Sequence, residues 1–128
     1  MSMNKLTPVL FVDDIALQLP FWKETLGFET VVEVPETEGS EKTGFMILKR
    51  DQVEVMLQTW KSIEEDIGWR ERSAQSSLFI EVSDIDDIER RVQSLDKVIP
   101  RRKTFYGATE IGVRDPAGNL VTFAQFEA

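Results

Sequence analysis

The chain repeats part of itself, and this repeat limits its possible fold more than any other feature of the sequence. The closing segment, TEIGVRDPAGNLVTFAQ, predicts two strands, Thr109–Val113 and Asn119–Phe126, joined by a tight turn. Asp115, Pro116 and Gly118 suit the first, second and fourth positions of a type I turn. An earlier segment, GFMILKRDQVEVMLQ, has the same plan: a strand ending in Arg-Asp, a turn, and an apolar strand ending in Gln.

A second pair of segments supports this internal duplication. FVDDI at Phe11–Ile15 and EVSDI at Glu81–Ile85 share a Val-x-Asp-Ile core, and each lies between an apolar stretch and a helical pattern. An internal repeat constrains the overall fold more strongly than local secondary-structure propensity does. The sequence therefore predicts an α+β fold in which one domain, 1–128, contains two tandem β-α-β-β-β modules. Module 1 is expected at about 4–59, a linker at 60–75 and module 2 at about 76–128.

Local signals predict the individual elements. The first module should contain a helix within Ile15–Leu26, capped by Asp14 and ended by Gly27, and the strands Leu6–Val12, Phe28–Val34, Gly44–Lys49 and Val53–Gln58. Pro20 either lies in the first turn of a helix that starts near 17–19 or kinks a longer helix, and we favour the late start. The second module should contain a helix over Asp86–Leu95, capped by Asp84. Its strands should be Leu78–Val82 and an interrupted strand made of Val98–Pro100 and Lys103–Tyr106. In the linker, a short helix is expected to be lined by Ile63, Ile67 and Trp69.

The composition excludes several kinds of chemistry. With no Cys and no His, the chain lacks thiolate nucleophiles, an ordinary histidine base and the commonest transition-metal ligand. A net charge of −8 argues against nucleic-acid binding and would favour cationic small molecules. No apolar run approaches the roughly 20 residues of a membrane helix, and the first residues lack the apolar segment of a signal peptide. We therefore expect a cytoplasmic protein that binds neither nucleic acid nor membranes.

The motifs FVDDI, FWKETLGFE and DPAGNLVTFAQ, in this order, resemble the vicinal oxygen chelate superfamily. That superfamily includes glyoxalase I, extradiol dioxygenases and bleomycin-resistance proteins, and the resemblance covers nearly the whole chain. It implies two sheets curved around a concave cleft, with the helices outside. It also implies a homodimer, in which modules pair across subunits, although one chain can instead pair its own two modules.

In metal-binding members of that superfamily, four positions each supply a His or a carboxylate. The matching positions here are Thr7, Val55, Ser77 and Thr122. Valine offers no donor atom, and neutral hydroxyls do not replace carboxylates and imidazoles around a transition-metal ion. We therefore expect no metal and no other cofactor. Glyoxalase and dioxygenase chemistry depends on the metal, so the resemblance favours a metal-free member, like some bleomycin-resistance proteins.

Without the metal, the resemblance still implies a cleft whose lining follows from the alternation of side chains along strands. The expected ligand-binding residues are Thr7, Phe11, Val55, Trp60, Ser77, Phe79, Glu81, Tyr106 and Thr122. The cleft as a whole is expected to be apolar and aromatic with few polar groups, which is typical of small-molecule sites. Trp60, Trp69 and Tyr106 either form flat walls for an aromatic or cationic ligand or serve as core or dimer contacts. Glu81 either faces the cleft, partly buried, or lies solvated at its rim.

Three classes of function follow from these residues. The first is a metal-independent protein that binds, and sequesters, a planar or cationic small molecule. The second is an enzyme, lyase-like or dioxygenase-like, that uses Glu81 or Tyr106 in acid–base chemistry or an atypical metal site. The third is an interaction module whose cleft is filled by its own side chains. We favour the first, and the sequence leaves open whether any reaction is catalysed.

Overall fold

Two four-stranded mixed sheets form the framework of the chain in the computed structural model, which describes residues 1–72 and 75–128. The first unit comprises Met1–Leu19 and Gly27–Ser73, and the second comprises Pro20–Leu26 and Ala74–Ala128. In each sheet the first strand of a module pairs parallel with the last, and the other pairs are antiparallel. The predicted α+β fold with tandem β-α-β-β-β modules is confirmed, and neither sheet closes into a barrel. The module and linker borders stay a prediction.

The first unit contains four strands and one α-helix. They are β1 (Val9–Val12), β2 (Glu29–Pro35), β3 (Thr43–Arg50), β4 (Val53–Thr59) and α1 (Trp60–Ile67). The strand order is β1-β4-β3-β2. One face of this sheet is the core face, on which every second residue is buried: Leu10, Val12, Met46, Leu48, Val55 and Leu57. The opposite face, which we call the open face of the first unit, carries half-buried and exposed side chains.

The second unit repeats this plan. It contains β5 (Ser77–Glu81), α2 (Ile85–Arg91), β6 (Lys97–Lys103), β7 (Ala108–Arg114) and β8 (Leu120–Phe126), with the strand order β5-β8-β7-β6. Its core face carries Ile111, Val113, Val121 and Phe123, all buried. Helix α2 contacts β7 and β8 and buries Ile85 and Ile88. The other side of the sheet is the open face of the second unit.

The helix expected from about 17–19 to Leu26 is instead two short segments, so that prediction is wrong. Ile15–Gln18 forms a 3₁₀ turn, whose cap Asp14 accepts from the backbone N–H of Ala16 at 3.0 Å, as predicted. Pro20–Thr25 forms a π-helical turn. Pro20 separates the two segments because it has no N–H to donate to the preceding turn.

Two predicted boundaries in the second unit are also wrong. Helix α2 ends at Arg91 rather than Leu95, and β6 is continuous where an interrupted strand was expected. The ammonium of Lys97, the first residue of β6, donates to the carbonyls of Val92, at 2.7 Å, and Leu95. It therefore satisfies carbonyls just beyond the end of the helix. Pro100 is tolerated within β6 because β6 is an edge strand, and its register against β7 shifts between Lys97 and Ile99 and again between Ile99 and Arg102.

The linker helix exists as predicted, but only part of its expected apolar side is buried. Helix α1 begins after Thr59, whose hydroxyl accepts from the N–H of Ser62 at 3.1 Å, and ends before Gly68 at φ 72°. Ile63 is buried, whereas Ile67 and Trp69 are exposed. In the described parts of the chain, no helix has the length and apolar character needed to cross a membrane.

The turn between β7 and β8 is a polar cluster that joins the closing hairpin to β5. The N–H of Gly118 donates to the carbonyl of Asp115 at 2.9 Å, as the predicted type I turn requires. The carboxylate of Asp115 accepts from the N–H groups of Ala117 (3.1 Å) and Asn119 (2.8 Å) and from the Asn119 amide (3.0 Å). The Asn119 side-chain oxygen accepts from the N–H of Ser76 at 2.7 Å, just before β5.

We predict that Asp115→Ala destabilises the protein by about 2–4 kcal/mol, because it leaves buried donors without an acceptor. Urea denaturation followed by circular dichroism measures the change. Asp51→Asn is the matched control, since Asp51 is an exposed residue of the other hairpin turn at φ 52°, a conformation that Asn also tolerates. It should change stability by less than about 0.5 kcal/mol. Equal effects of the two substitutions would contradict this role for Asp115.

Candidate functional site

Strand register places Val55 in the core rather than on the open face, so its predicted position is wrong. In the parallel ladder between β1 and β4, Leu10 pairs with Leu57 and Phe11 pairs with Gln58. Paired residues share a face, so Val55 lies on the same side as Leu57 and is only 1% exposed. Phe11 lies on the opposite side.

The physical reason is a one-residue error in matching the two repeats. Phe11 and Glu81 are equivalent in the repeated Val-x-Asp-Ile segments, and the structure pairs them with Gln58 and Ala124 respectively. Gln58 therefore matches Ala124 and not Gln125, and Met56 rather than Val55 matches Thr122. A shift by one residue moves every side chain of a strand to the other face.

The positions that the resemblance assigns to metal ligands thus hold Thr7, Met56, Ser77 and Thr122. A thioether and three neutral hydroxyls do not fit a divalent transition-metal site built from imidazoles and carboxylates. Among residues 1–72 and 75–128 the structure also shows no group of three or more acidic side chains arranged to hold a metal ion. The residues present therefore do not fit the superfamily's metal.

The open face of the second unit has a floor of small residues and walls of aromatic ones. The floor consists of paired residues from β7 and β8, all buried: Ala108, Gly112, Thr122 and Ala124. Around it stand three aromatic side chains that are substantially exposed, namely Phe79 (54%), Tyr106 (44%) and Phe126 (40%). The ring centroid of Phe126 lies 6.3 Å from that of Phe79 and 6.1 Å from that of Tyr106. These three rings form what we call the aromatic cluster.

A buried carboxylate, Glu110, lies on this same face beside the aromatic cluster. Glu110 is 1% exposed and pairs with Ala124 across the hairpin. Its Oε1 accepts from Nε (3.2 Å) and Nη2 (3.0 Å) of Arg102, and its Oε2 accepts from the hydroxyl of Tyr106. A buried charge is tolerated only when it is paired and hydrogen-bonded, and Glu110 meets both conditions.

The hydrogen bond to Glu110 raises the pKa of Tyr106, with burial and the nearby negative charge of Glu110 acting in the same direction. The phenol therefore stays protonated at neutral pH. Since its hydrogen is donated to Glu110, its oxygen can still accept a hydrogen bond from another molecule.

On the open face of the first unit, a smaller group of residues surrounds Trp60. The ring of Phe11 lies 5.0 Å from that of Trp60, centroid to centroid, with the planes tilted by 39°. The guanidinium carbon of Arg72 lies 5.3 Å from the centroid of the Trp60 ring, and Arg72 Nη1 donates to Asp13 Oδ1 at 3.3 Å. Phe11 and Trp60, two of the expected ligand-binding residues, are thus brought together.

The other predicted site residues fall into two groups. Phe79, Tyr106 and Thr122 lie together on the open face of the second unit, with Thr122 opposite Phe79. Thr7 is half-buried just before β1, and Ser77 and Glu81 are exposed on β5. Of the alternatives for Glu81, the structure supports the solvated one.

Sequence reasoning missed Glu110, Arg102 and Phe126. A signal for Glu110 was available, since the turn fixes Arg114 opposite Leu120 and counting back along the hairpin places Glu110 beside Ala124, on the face of Thr122. An acidic residue on that face needs a partner. Nothing comparable identifies Arg102, because its contact with Glu110 depends on the bulged register of β6.

Together, the tandem modules and the open faces define a glyoxalase-like protein. The family model described as Glyoxalase/Bleomycin resistance protein/Dioxygenase superfamily matches residues 4–123, and the chain belongs to this superfamily. This confirms the resemblance seen in the sequence motifs. No curated protein sequence matches the chain.

Several solved structures share the fold. TioX from Micromonospora sp. ML1 aligns with a TM-score of 0.76 and 18% identity, over 98% of this chain and 100% of TioX. Lactoylglutathione lyase from Agrobacterium tumefaciens aligns with a TM-score of 0.77 and 17% identity, over 97% of this chain and 94% of that chain. Virulence protein STM3117 from Salmonella typhimurium aligns with a TM-score of 0.68 and 21% identity, over 99% of this chain and 100% of that chain. At these identities the likeness shows the fold alone.

The register of β4 leads to a first prediction for this region. Val55→Ala should destabilise the protein by about 1–3 kcal/mol because it leaves a cavity in the core, whereas Met56→Ala on the half-buried side should cost about 1 kcal/mol or less. Chemical denaturation of both variants under the same conditions measures the difference. A larger loss for Met56→Ala would show that the two faces of β4 have been exchanged.

A second prediction concerns Tyr106, the only tyrosine of the chain. We expect Glu110→Gln to lower the pKa of Tyr106, since it removes the carboxylate that holds the phenolic proton. Ultraviolet absorbance of the phenolate reports the titration directly. Glu89→Gln is the control, because Glu89 is paired with Arg101 and is not among the groups that shift Tyr106.

The raised pKa also makes stability depend on pH. The folded state retains the Tyr106 proton to higher pH than the unfolded chain, in which a phenol titrates near about 10. The resulting stabilisation is complete below that value and is lost as pH rises through the pKa of the folded state. The stability advantage of the native protein over Tyr106→Phe should therefore shrink in alkaline solution. An advantage that is constant across this range would rule out the Tyr106–Glu110 coupling.

Proposed function

We propose that this protein binds a planar small molecule on the open face of its second unit and holds it without a metal ion. The observation that carries the proposal is the aromatic cluster: three substantially exposed rings, in which Phe126 lies next to both Phe79 and Tyr106. Soluble proteins seldom expose contiguous apolar patches, and such patches often mark a binding site. Sequestration of the ligand, rather than its transformation, is part of the proposal.

The geometry of the cluster favours a flat ligand. Phe79, Tyr106 and Phe126 meet at tilted angles, so each offers part of a ring face or edge to a further ring. An aromatic contact of this type adds about 0.5–1.5 kcal/mol beyond the burial of its area. The floor residues are buried, and the Ile99 side chain lies over Gly112, so a flat ring would contact the exposed aromatic rings rather than the floor.

The polar centre of the face favours a ligand without a strong negative charge. Arg102 compensates the charge of Glu110, and the hydroxyl proton of Tyr106 is already committed to Glu110. Towards a ligand the Tyr106 oxygen can therefore act only as an acceptor, beside its contact with Thr104, which suits a ligand N–H or O–H group.

Metal independence rests on the donor chemistry of the chain. Thr7, Met56, Ser77 and Thr122 do not reproduce the metal-binding set of the superfamily, and the ligand must then be held by stacking and hydrogen bonds. We also propose that the protein is a cytoplasmic homodimer. The exposed valines of β2, Val31, Val32 and Val34, are an apolar strip that favours association, and light scattering of the purified protein tests it.

The Tyr106–Glu110 pair favours a second candidate function, acid–base catalysis. Tyr106 would take a proton from a bound substrate while passing its own proton to Glu110, which leaves Tyr106 unchanged, Glu110 neutral and the substrate with the negative charge. Because the phenol has a raised pKa, the two transfers would have to occur together. Glu81 offers no comparable arrangement, since it is exposed on β5. Loss of turnover in Tyr106→Phe with unchanged substrate binding would favour this enzyme over a binding protein.

We expect calorimetric titration with acridine, naphthalene and coumarin compounds to identify a ligand that binds equally well with and without a chelator. Phe126→Ala, which removes the ring shared by both contacts of the cluster, should weaken its binding about tenfold. Trp69→Ala is the matched control, because Trp69 is an exposed aromatic of the first unit whose indole N–H donates to the carbonyl of Glu71. Failure of the whole panel to bind, or equal losses in both variants, would refute the proposal.

A further inference from the structure

Trp60, Phe11 and Asp13 lie together on the first unit, and none of them belongs to the aromatic cluster of the second. The guanidinium of Arg72 lies over the Trp60 ring at 5.3 Å and also donates to Asp13 at 3.3 Å. We propose that these three residues form a binding site for an organic cation, and that Arg72 occupies this site in the free protein.

The aromatic part of this site is held in place by the secondary structure. Trp60 is the first residue of α1, directly after the cap Thr59, and the Gln58 amide donates to the Ser62 hydroxyl at 3.0 Å across the same helix start. Phe11 is fixed on β1 opposite Gln58. The Trp60 ring is therefore a preformed surface, and its ordering is not a cost that a ligand has to meet.

The chemistry of the site selects a positive charge. Tryptophan has the aromatic face that attracts cations most strongly, and quaternary ammonium groups are recognised in this way. Asp13 adds a carboxylate that a cation over the ring can reach, as Arg72 does. The chain as a whole carries a net charge of −8, which raises the local concentration of cations. Arg72 satisfies both parts of the site at once, which is what a ligand cation would do.

Arg72 is held weakly enough to be displaced. The side chains of Arg72 and Asp13 are 64% and 82% exposed, and ion pairs with that exposure contribute little to stability. An external cation therefore competes with Arg72 for one ring face. Removing the Arg72 side chain should leave Trp60 and Asp13 available and tighten the binding of the competitor.

The test uses tetramethylammonium, a compact cation that does not stack as a flat ring, and follows the Trp60 indole N–H by NMR titration. Arg72→Ala should lower the dissociation constant about three- to tenfold. Arg70→Ala is the matched control, because it removes the same charge two residues away, where Arg70 pairs with Glu64 at 3.2 Å, and it should change the constant less than about twofold. Asp13→Asn should weaken binding in the Arg72→Ala background.

Variants of Trp60 and a neutral ligand test whether the Trp60 ring binds the cation through its charge. Trp60→Leu and Trp60→Phe remove the indole N–H, so their titrations follow the backbone N–H of Ser62, at the start of the same helix. Trp60→Leu should abolish the shift, and Trp60→Phe, which keeps a ring, should weaken binding. tert-Butanol, a neutral molecule of similar shape, should bind no better to Arg72→Ala than to the native chain. Equal effects of Arg72→Ala and Arg70→Ala, or a parallel gain with tert-butanol, would overturn the proposal. Phe126→Ala should bind tetramethylammonium normally, so this test is separate from that of the planar ligand.

Discussion

The parallel pairing of the first and last strands in each module determines which side chains are available for function. β1 pairs with β4 and β5 pairs with β8, each over a short ladder. Because side chains alternate along a strand, this register assigns one set to the core and the other to the open face. The burial of Leu10, Leu57 and Phe123 then stabilises the register, since a slip by one residue would move them into water.

The polar centre of the second unit consists of Glu110, Arg102 and Tyr106. Burying the Glu110 charge costs hydration free energy, and hydrogen bonds from the other two residues offset that cost. Glu110 receives bonds from two nitrogens of Arg102 and from the Tyr106 hydroxyl. Arg102 remains half in water, so only one of the two charges is fully removed from solvent. This asymmetry lowers the desolvation cost of the pair, and loss of Arg102 would leave an uncompensated buried carboxylate.

The sequence predicted those features that depend on neighbours along the chain. The Asp115–Gly118 turn, the caps Asp14 and Asp84, and the stop at Gly27 all follow from short-range bonds or from φ, and the structure contains them. The duplication predicted the order of elements because a repeated motif repeats its fold. Alternation alone placed Phe11 and Phe79 on open faces.

The features that depend on contacts between strands could not be predicted in the same way. The residue of β4 that matches Thr122 is defined by inter-strand pairing, and an alignment of strand ends misplaced it by one position. The π-helical turn that begins at Pro20 depends on tertiary packing, since Phe21 and Trp22 are buried there. Arg102 reaches Glu110 only because β6 bulges, and bulges leave no clear mark in a single sequence.

The bulges and the proline of β6 also have a consequence for how molecules of this protein meet in concentrated solution. An edge strand offers unpaired N–H and C=O groups to any extended peptide that approaches it. In β6, Pro100 removes one such donor, the irregular register twists the backbone, and Arg101 and Lys103 add charge. Edge-to-edge growth of sheets into fibrils is disfavoured on this side of the molecule.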